Sequence, residues 1–135
     1  LLQDSSAQMA TLYDDCSEEQ WLDPDVVKLI VSNQKKALTF SRAPIPHQRG
    51  GGWPGSVVKR HVGLYAYRAS ALREWVSLPA SRIEQVEHLE QWRALSAGWS
   101  IACDHAVEII PAGVDHIDDL RRVCDAVEAA TKALD

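Results

Sequence analysis

The chain has 135 residues, 46% of them hydrophobic, with five tryptophans and a formal net charge of −5. This suits one small domain with a packed core, and the dispersed negative charge excludes sequence-independent nucleic-acid binding. No apolar run reaches the roughly 18 residues of a bilayer span and no signal-peptide pattern is present, so we expect no membrane partner. Three cysteines without CxxC spacing indicate a reducing compartment, and we predict a cytoplasmic location.

The first third of the chain predicts short strands and one helical turn. Ser17 and Gln20 have the spacing of a capping box, which starts a helix by satisfying its first backbone amides. The proline at position 24 ends that helix, because the residue before a proline avoids the helical region. The predicted elements are a strand at Met9–Tyr13, a helix at Glu18–Leu22, and a hairpin of strands at Val26–Val31 and Ala37–Arg42.

Residues 43–56 predict a mobile loop, because prolines and glycines punctuate the whole stretch. The glycine triplet at 50–52 lacks the lysine and the strand-to-helix context of a phosphate-binding loop. An alternating strand is then predicted at Lys59–Arg68, with Val62, Leu64 and Ala66 on one face and His61, Gly63, Tyr65 and Tyr67 on the other. A short helix at Ser70–Ser77 follows.

Ser81–Leu95 predicts one amphipathic helix that opens with a Ser81–Glu84 capping box and is stopped by Gly98. Its apolar residues at helical spacing form one predicted buried stripe, namely Ile83, Val86, Leu89 and Leu95. Glu84, Glu87 and Glu90 run beside the stripe. They indicate either a solvated face with a Glu90–Arg93 pair, or a position at its edge where Glu90 and Gln91 hold a polar ligand.

The remaining pattern predicts extended segments at Trp99–Val107 and Glu108–Ile110 and a final helix at Asp118–Leu134. That helix is expected to bury one side, formed by Leu120, Val123, Cys124, Val127 and Leu134. Strands interleaved with helices, together with an antiparallel hairpin, predict an α/β domain with a mixed sheet.

Several separated motifs occur in the order found in one enzyme family. They are MATL at 9–12, DPDVVKLIV at 23–31, ALTFSRAPIP at 37–46, the run from HVGLYAYR to LEQWRAL at 61–95, and PAGVDHIDDLRRV at 111–123. With them, the chain resembles the C-terminal half of 3-deoxy-manno-octulosonate cytidylyltransferase, the CMP-Kdo synthetase.

The resemblance implies a nucleotide-sugar cytidylyltransferase-type fold with an antiparallel portion that pairs two subunits. It also implies transfer of CMP from CTP to Kdo, giving CMP-Kdo and pyrophosphate for lipopolysaccharide synthesis, with Mg²⁺ as cofactor. Residues 1–135 would form a single partial domain that carries the sugar-binding and dimerisation half, without the nucleotide half. We therefore expect this chain alone to be incomplete and inactive.

Asp115 stands in a Gly-Val-Asp sequence just ahead of the final helix. From spacing alone an aspartate there is an ordinary helix cap, although a carboxylate is also a suitable ligand for a hard cation. The resemblance favours the second interpretation, because this motif supplies a magnesium ligand in the family. His116-Ile117 replaces the usual Thr-Pro that follows, which leaves the helix start in question.

The resemblance also assigns residues to the substrate site. Arg42 and Arg49 flank the prolines of the loop, where a planar guanidinium suits a carboxylate or a phosphate; Arg42 is given a catalytic role with Asp115. His61 and Tyr65 share a strand face, and Glu90 and Gln91 match the hydroxyl-binding pair of the family. Without the resemblance, these six residues read as solvated loop arginines, a cross-strand polar pair and a solvated helix face.

A second function from another class is compatible with the same residues. The chain could be a non-catalytic module that binds a sugar acid or pairs subunits and has lost the nucleotide half. The sequence leaves open which 3-deoxy sugar acid would be preferred, Kdo or its 8-amino relative.

Overall fold

A computed structural model describes residues 4–108, 110, 113–114 and 117–132. Its elements follow in chain order: β1 (Met9–Asp15), α1 (Glu18–Leu22), β2 (Lys28–Val31), β3 (Ala37–Ser41), a 3₁₀ turn (Gly55–Val57), β4 (Val58–Tyr67), α2 (Ala69–Trp75), α3 (Arg82–Glu87), α4 (Gln91–Ser96), β5 (Ile101–His105) and α5 (Ile117–Lys132). Every predicted strand of the first two thirds is present, with ends moved by one or two residues, and both capping boxes form.

The strands form one five-stranded sheet in the order β3-β2-β4-β1-β5. The neighbours β1 and β5 are parallel, whereas the other three pairs are antiparallel. The predicted α/β class with a mixed sheet is therefore confirmed. Helices α2–α4 cover one face of the sheet, where large buried side chains of the core lie, among them Met9, Leu29, Phe40 and Ile101. Apolar burial of this kind is the main stabilising contribution to the fold.

The predicted alternation along β4 is wrong at one point, because the strand contains a bulge. Thr11 of β1 pairs with Tyr65, and the next residue of β1 pairs with Val62, so Gly63 and Leu64 face no residue of β1. Val62 is buried while Leu64 is 53% exposed, although strict alternation puts them on the same face. A bulge breaks the two-residue period by inserting residues on one strand only.

The single helix predicted at Ser81–Leu95 is instead two helices joined at His88. This residue adopts a left-handed conformation with φ of 53°, which ends α3. Glu84 and Arg93 form a partly buried ion pair, in which Nε of Arg93 donates to the two carboxylate oxygens of Glu84 at 3.0 and 3.1 Å. Residues nine apart on a continuous helix point to opposite sides, about 180° apart. The turn at His88 therefore makes this pair possible.

The predicted burial on this segment is also corrected. Val86 is 79% exposed and Ile83 is exposed, whereas Leu89 is buried. Two of the three glutamates are not part of a solvated face: Glu84 is buried against Arg93, and Glu87 contacts the end of β3. The reason is that α3 turns its polar side toward β3 and α4, since the ion pair and hydrogen bonds there satisfy the charged groups. Gly98, with φ of +79°, ends α4 as predicted.

The final helix forms, but three of the residues on its predicted buried side are exposed and Val123 is half-buried. Leu120 is 47% exposed, and Cys124 and Val127 are exposed as well. Leu134 and the rest of residues 133–135 lie outside the described residues. Helical periodicity records only that an apolar face exists, and burial requires another element to cover it. None of the helices in the described ranges combines the length and hydrophobicity of a bilayer span.

Candidate functional site

A row of ring side chains crosses the sheet face that α2–α4 cover. Neighbouring ring centroids are 5.1 to 6.2 Å apart along the series Phe40, His61, Tyr65, Tyr67, Trp75 and Trp99. Most pairs are tilted or edge-to-face, which is the favourable arrangement for aromatic quadrupoles. The guanidinium of Arg93 lies 5.2 Å over the Trp75 ring and extends the row toward α4. The row thus joins β3 and β4 to two of the covering helices, α2 and α4.

His61 is held in this row by the bulge of β4. Its Nε2 lies 3.0 Å from Oγ1 of Thr11, and the same hydroxyl lies 2.9 Å from the carbonyl oxygen of Leu64. A hydroxyl has one hydrogen to donate, so donation to Leu64 leaves Oγ1 to accept from His61 Nε2–H. Burial lowers the pKa of His61 to about 4. The imidazole is therefore neutral at neutral pH and offers uncharged hydrogen-bonding nitrogens.

Tyr65 lies beside His61, with ring centroids 5.4 Å apart. Burial raises the pKa of the Tyr65 phenol, and the charges of Tyr67 and Glu90 act in the same direction. The phenol is consequently a neutral group that can donate or accept a hydrogen bond. The structure thus brings together three of the predicted site residues, His61, Tyr65 and Glu90, since Glu90 is close enough to influence Tyr65 electrostatically.

Glu90 and Gln91 stand at the start of α4, directly after the turn that ends α3. Glu90 is exposed and occupies the N-cap position, whereas Gln91 is only 4% exposed. Within the described part of the chain, Nε2 of Gln91 has no hydrogen-bond partner. A buried donor left unpaired costs about 1–3 kcal/mol. Such a group is explained if a ligand supplies the missing acceptor.

Arg42 lies at the end of β3, where it is half-buried. Its Nε donates to the backbone carbonyl of Glu87 at 3.0 Å, and Nη1 donates to the carbonyl of Pro24 at 3.2 Å. The carboxylate of Glu87 accepts from Ser41 Oγ at 2.7 Å and from the Arg42 amide at 2.9 Å. Arg42 is therefore held by α3 on one side and by the loop before β2 on the other.

Arg49 lies apart from this group, on the exposed glycine-rich loop. That loop is irregular except for its 3₁₀ turn, and it is anchored where Trp21 Nε1 donates to the Ile45 carbonyl at 2.9 Å. The rings of Trp21 and Trp53 also meet, with centroids 5.7 Å apart. Among the described residues, no hydrogen bond or ion pair connects Arg49 with the row of rings.

The predicted magnesium ligand, Asp115, lies outside the described residues. Ile110, five residues earlier, is anchored, because Nη2 of Arg60 donates to its carbonyl at 2.9 Å and to Asp14 Oδ2 at 3.0 Å. No group of three or more His, Cys, Asp or Glu residues within the described ranges could hold a metal ion.

Sequence reasoning missed three polar residues that shape this region. The acidic pattern places Glu87 beside the apolar stripe, and Thr11 and Lys28 lie within the strands predicted at Met9–Tyr13 and Val26–Val31. Lys28 is fully buried, and its amine donates to the carbonyls of Asp23 and Val26 at 2.6 Å each. A lysine inside an apolar strand is the one signal that could have indicated this role, since a buried amine requires acceptors.

The fold and the site together define an α/β protein with a candidate small-molecule site on one sheet face. Over residues 1–109 the chain matches the family model described as Cytidylyltransferase. The chain belongs to this cytidylyltransferase family.

Curated relatives carry a more specific name. The chain is 42% identical over 130 residues to the 3-deoxy-manno-octulosonate cytidylyltransferase of Xanthomonas campestris pv. campestris (strain 8004), covering 90% of this chain and 52% of the relative. It is 49% identical over 115 residues to the enzyme of the same name from Nitrosococcus oceani, covering 79% of this chain and 44% of the relative. The resemblance inferred from the motifs is thereby confirmed.

A solved structure agrees with these relatives. It is the structure of CMP:2-keto-3-deoxy-manno-octonic acid synthetase complexed with CTP, which matches with a TM-score of 0.84 at 35% identity. The match covers 96% of this chain and 52% of that one. The chain thus spans about half the length of the proteins it resembles.

Proposed function

We propose that this chain forms the sugar-acid side of an enzyme that transfers CMP from CTP to Kdo. The products are CMP-Kdo and pyrophosphate, and CMP-Kdo serves lipopolysaccharide synthesis. The observation that carries the proposal is the buried amide nitrogen of Gln91, which has no hydrogen-bond partner among the described residues and follows Glu90, whose charge acts on Tyr65. The names of the relatives and the CTP complex of the structural neighbour support the same reaction. They do not favour a non-catalytic module.

The chemistry of the row suits a polyhydroxylated sugar acid. His61 and Tyr65 are neutral hydrogen-bonding groups, Gln91 offers an amide, and Glu90 offers a carboxylate acceptor. Arg42 and, on its loop, Arg49 would take the sugar carboxylate or a phosphate of CTP, because guanidinium groups bind such anions with paired hydrogen bonds. In the reaction, the anomeric hydroxyl of Kdo attacks the α-phosphorus of CTP and displaces pyrophosphate. The residues of this chain bind and orient the sugar for that attack.

Magnesium is proposed as the cofactor, with Asp115 as its protein ligand. Mg²⁺ usually takes one or two carboxylates and completes its shell with water and substrate phosphates, so a single aspartate on a phosphate substrate fits that chemistry. When bound, the ion would balance negative charge on the reacting phosphate. The described residues hold no larger acidic cluster that would compete for this role.

The metal proposal can be separated from a helix cap with one substitution. Asp115→Asn keeps a side chain that caps a helix equally well, so Tm should stay nearly unchanged. As a metal ligand it loses the charge, so Mn²⁺ binding in the presence of CTP, followed by electron paramagnetic resonance, should weaken. Turnover in the complete enzyme should fall roughly a hundredfold. Unchanged Mn²⁺ binding would mean that Asp115 only caps the helix.

We also propose a cytoplasmic homodimer. Large apolar side chains are exposed on β3, β4 and α5, among them Leu38, Leu64 and Val127. Exposed apolar area of this kind favours association with another protein surface. Light scattering should return a dimer mass for this chain, and a monomer mass across a wide concentration range would contradict the proposal.

The sugar site is tested by titrating Kdo into this chain while tryptophan fluorescence is followed. Glu90→Ala should weaken Kdo binding about 10- to 100-fold, because a charged hydrogen bond is lost. Gln85→Ala, on the exposed side of α3, is the matched control and should leave the affinity unchanged. A folded chain that binds no Kdo would overturn the proposed function. An unchanged affinity of Glu90→Ala for Kdo would mean that Glu90 belongs to a solvated face and does not bind the sugar.

A further inference from the structure

Glu87 makes three contacts with Ser41, the last residue of β3, and with Arg42, which follows it. One carboxylate oxygen accepts from Ser41 Oγ at 2.7 Å, and the other accepts from the backbone amide of Arg42 at 2.9 Å. The backbone carbonyl of Glu87 also accepts from Nε of Arg42 at 3.0 Å. Both the main chain and the side chain of Arg42 are therefore fixed by a single residue of α3.

The opposite side of Arg42 is fixed as well. Its Nη1 donates to the Pro24 carbonyl, and the loop that carries Pro24 is itself held by the buried amine of Lys28, which donates to Asp23 and Val26. A guanidinium has five N–H groups, and these contacts use two of them. Among the contacts of the described residues, both hydrogens of Nη2 and one of Nη1 remain for a ligand. The free edge of the guanidinium thus has a defined direction.

Glu87 is also the last residue of α3, and only three residues separate it from Gln91, the first residue of α4. His88 makes the left-handed turn, Leu89 enters the core, and Glu90 and Gln91 begin α4. The carboxylate that holds Arg42 is therefore only three residues from the pair proposed to bind sugar hydroxyls. A shift of Glu87 would move both groups relative to each other.

We propose that Glu87 is a positioning residue, which orients Arg42 toward the carboxylate of the sugar acid and fixes its distance from Glu90 and Gln91. This inference rests on the proposed function, since it assumes a sugar acid as the ligand. Glu87 itself makes no contact with the ligand. Its effect reaches the ligand through Arg42.

The binding test uses Kdo and its methyl ester, which lacks the negative charge. In isothermal titrations of this chain, Glu87→Ala should weaken Kdo binding about tenfold, because the carboxylate that holds the main chain of Arg42 beside α3 is lost, while binding of the ester changes little. Arg42→Ala should weaken Kdo binding at least as much. The double variant should bind Kdo no more weakly than Arg42→Ala, because Glu87 acts through Arg42. Additive losses, or equal losses for Kdo and the ester, would overturn the proposal.

A second readout does not depend on binding. In ¹⁵N spectra of the folded chain, the Arg42 amide and its Nε–H should be protected from hydrogen exchange. The Arg42 amide should lose protection in Glu87→Ala, because its acceptor is the carboxylate, and Glu87→Gln should restore part of it, since its one oxygen can accept one of the two carboxylate bonds. The Nε–H donates to the Glu87 backbone carbonyl, which both variants keep, and serves as the internal reference. Gln85→Ala is again the control. Protection of the Arg42 amide that is unchanged in Glu87→Ala overturns the positioning role even where Kdo binds. A protected Arg42 in a chain that binds neither ligand instead overturns the proposed function.

Discussion

The sequence predicts an amphipathic helix in two regions, the α3–α4 segment and the final helix α5. The observed burial differs from the prediction in both regions, but in opposite directions. In α3 and α4 the polar residues Glu84 and Gln91 are buried, while the apolar Val86 is exposed. In α5 the apolar residues Leu120, Cys124 and Val127 of the predicted inner side are exposed. Apolar periodicity thus indicates which side chains could be buried. Whether they are depends on what the rest of the fold places against them.

The difference between the two regions lies in their partners. The α3–α4 segment contacts β3 through hydrogen bonds, with Trp92 Nε1 donating to the Phe40 carbonyl at 3.2 Å and Glu87 accepting from Ser41. Helix α5 forms mainly local contacts, such as the exposed Arg121–Asp118 pair at 2.9 Å and the Thr131 hydroxyl on the Val127 carbonyl. A helix that is directed by specific polar contacts can bury charged residues, because their hydrogen bonds are satisfied.

Truncating one leucine in each region tests the difference in burial most directly. Leu89→Ala should lower the free energy of unfolding by about 3–4 kcal/mol, because it opens a cavity at a residue that is 5% exposed. Leu120→Ala in α5 should cost below about 1 kcal/mol, since its side chain is already half exposed. Urea denaturation of both variants measures the difference. Similar losses would show that α5 is packed as tightly as α4.

Acid should weaken the sheet face beneath α3 and α4 in a specific pH window. The pKa of His61 is about 4 in the folded chain and near 6.5 when unfolded, so the unfolded chain takes up a proton first as pH falls. Stability from this group is complete above pH 6.5 and declines down to pH 4, by roughly 2–3 kcal/mol between pH 7 and 4.5.

Urea denaturation of wild type and His61→Gln at both pH values isolates this effect. The variant cannot titrate, so its loss of stability over the same window should be smaller by that amount. The hydrogen bond from Arg60 lowers the pKa of Asp14 below 3.8, so this carboxylate responds only at more acidic pH. A parallel decline in wild type and variant would mean that His61 is not the titrating group.

Removing a glutamate from each region gives a smaller contrast. Glu84→Ala breaks the pair with Arg93 and half of the capping box, and we expect a loss of about 2 kcal/mol in the free energy of unfolding. Glu128→Ala, on exposed α5, should change it by at most about 0.5 kcal/mol. Thermal melts of the two variants provide the measurement. An unchanged melting temperature in Glu84→Ala would mean that Glu84 lies on a solvated face.

The smallest expected effect concerns the apolar stripe itself. Val86→Lys should leave the free energy of unfolding within about 0.5 kcal/mol of wild type, because the side chain points to solvent. Chemical denaturation is sufficient to detect a deviation. A loss of several kcal/mol would show that Val86 is covered in solution, for example by a second copy of the chain.

Local signals in the sequence determined much of this protein. Ser17 with Gln20 and Ser81 with Glu84 start helices, and Gly98 ends one, because caps and positive φ angles involve only neighbouring residues. The strand positions follow from apolar runs and turns in the same way. The ordered motifs also identified the family, and His61 and Tyr65 were correctly expected to share a surface.

Only the tertiary structure decided the features that depend on distant partners. The turn at His88 allows Glu84 to form its ion pair with Arg93. The hydroxyl of Thr11 in β1 lies within hydrogen-bond distance of His61 in β4, fifty residues away in the chain. Glu87 gains its contacts because β3 ends beside α3. Each of these arrangements balances the desolvation of a polar group against a hydrogen bond from elsewhere in the fold. Such a balance is set by three-dimensional proximity, which periodicity and spacing along the chain do not contain.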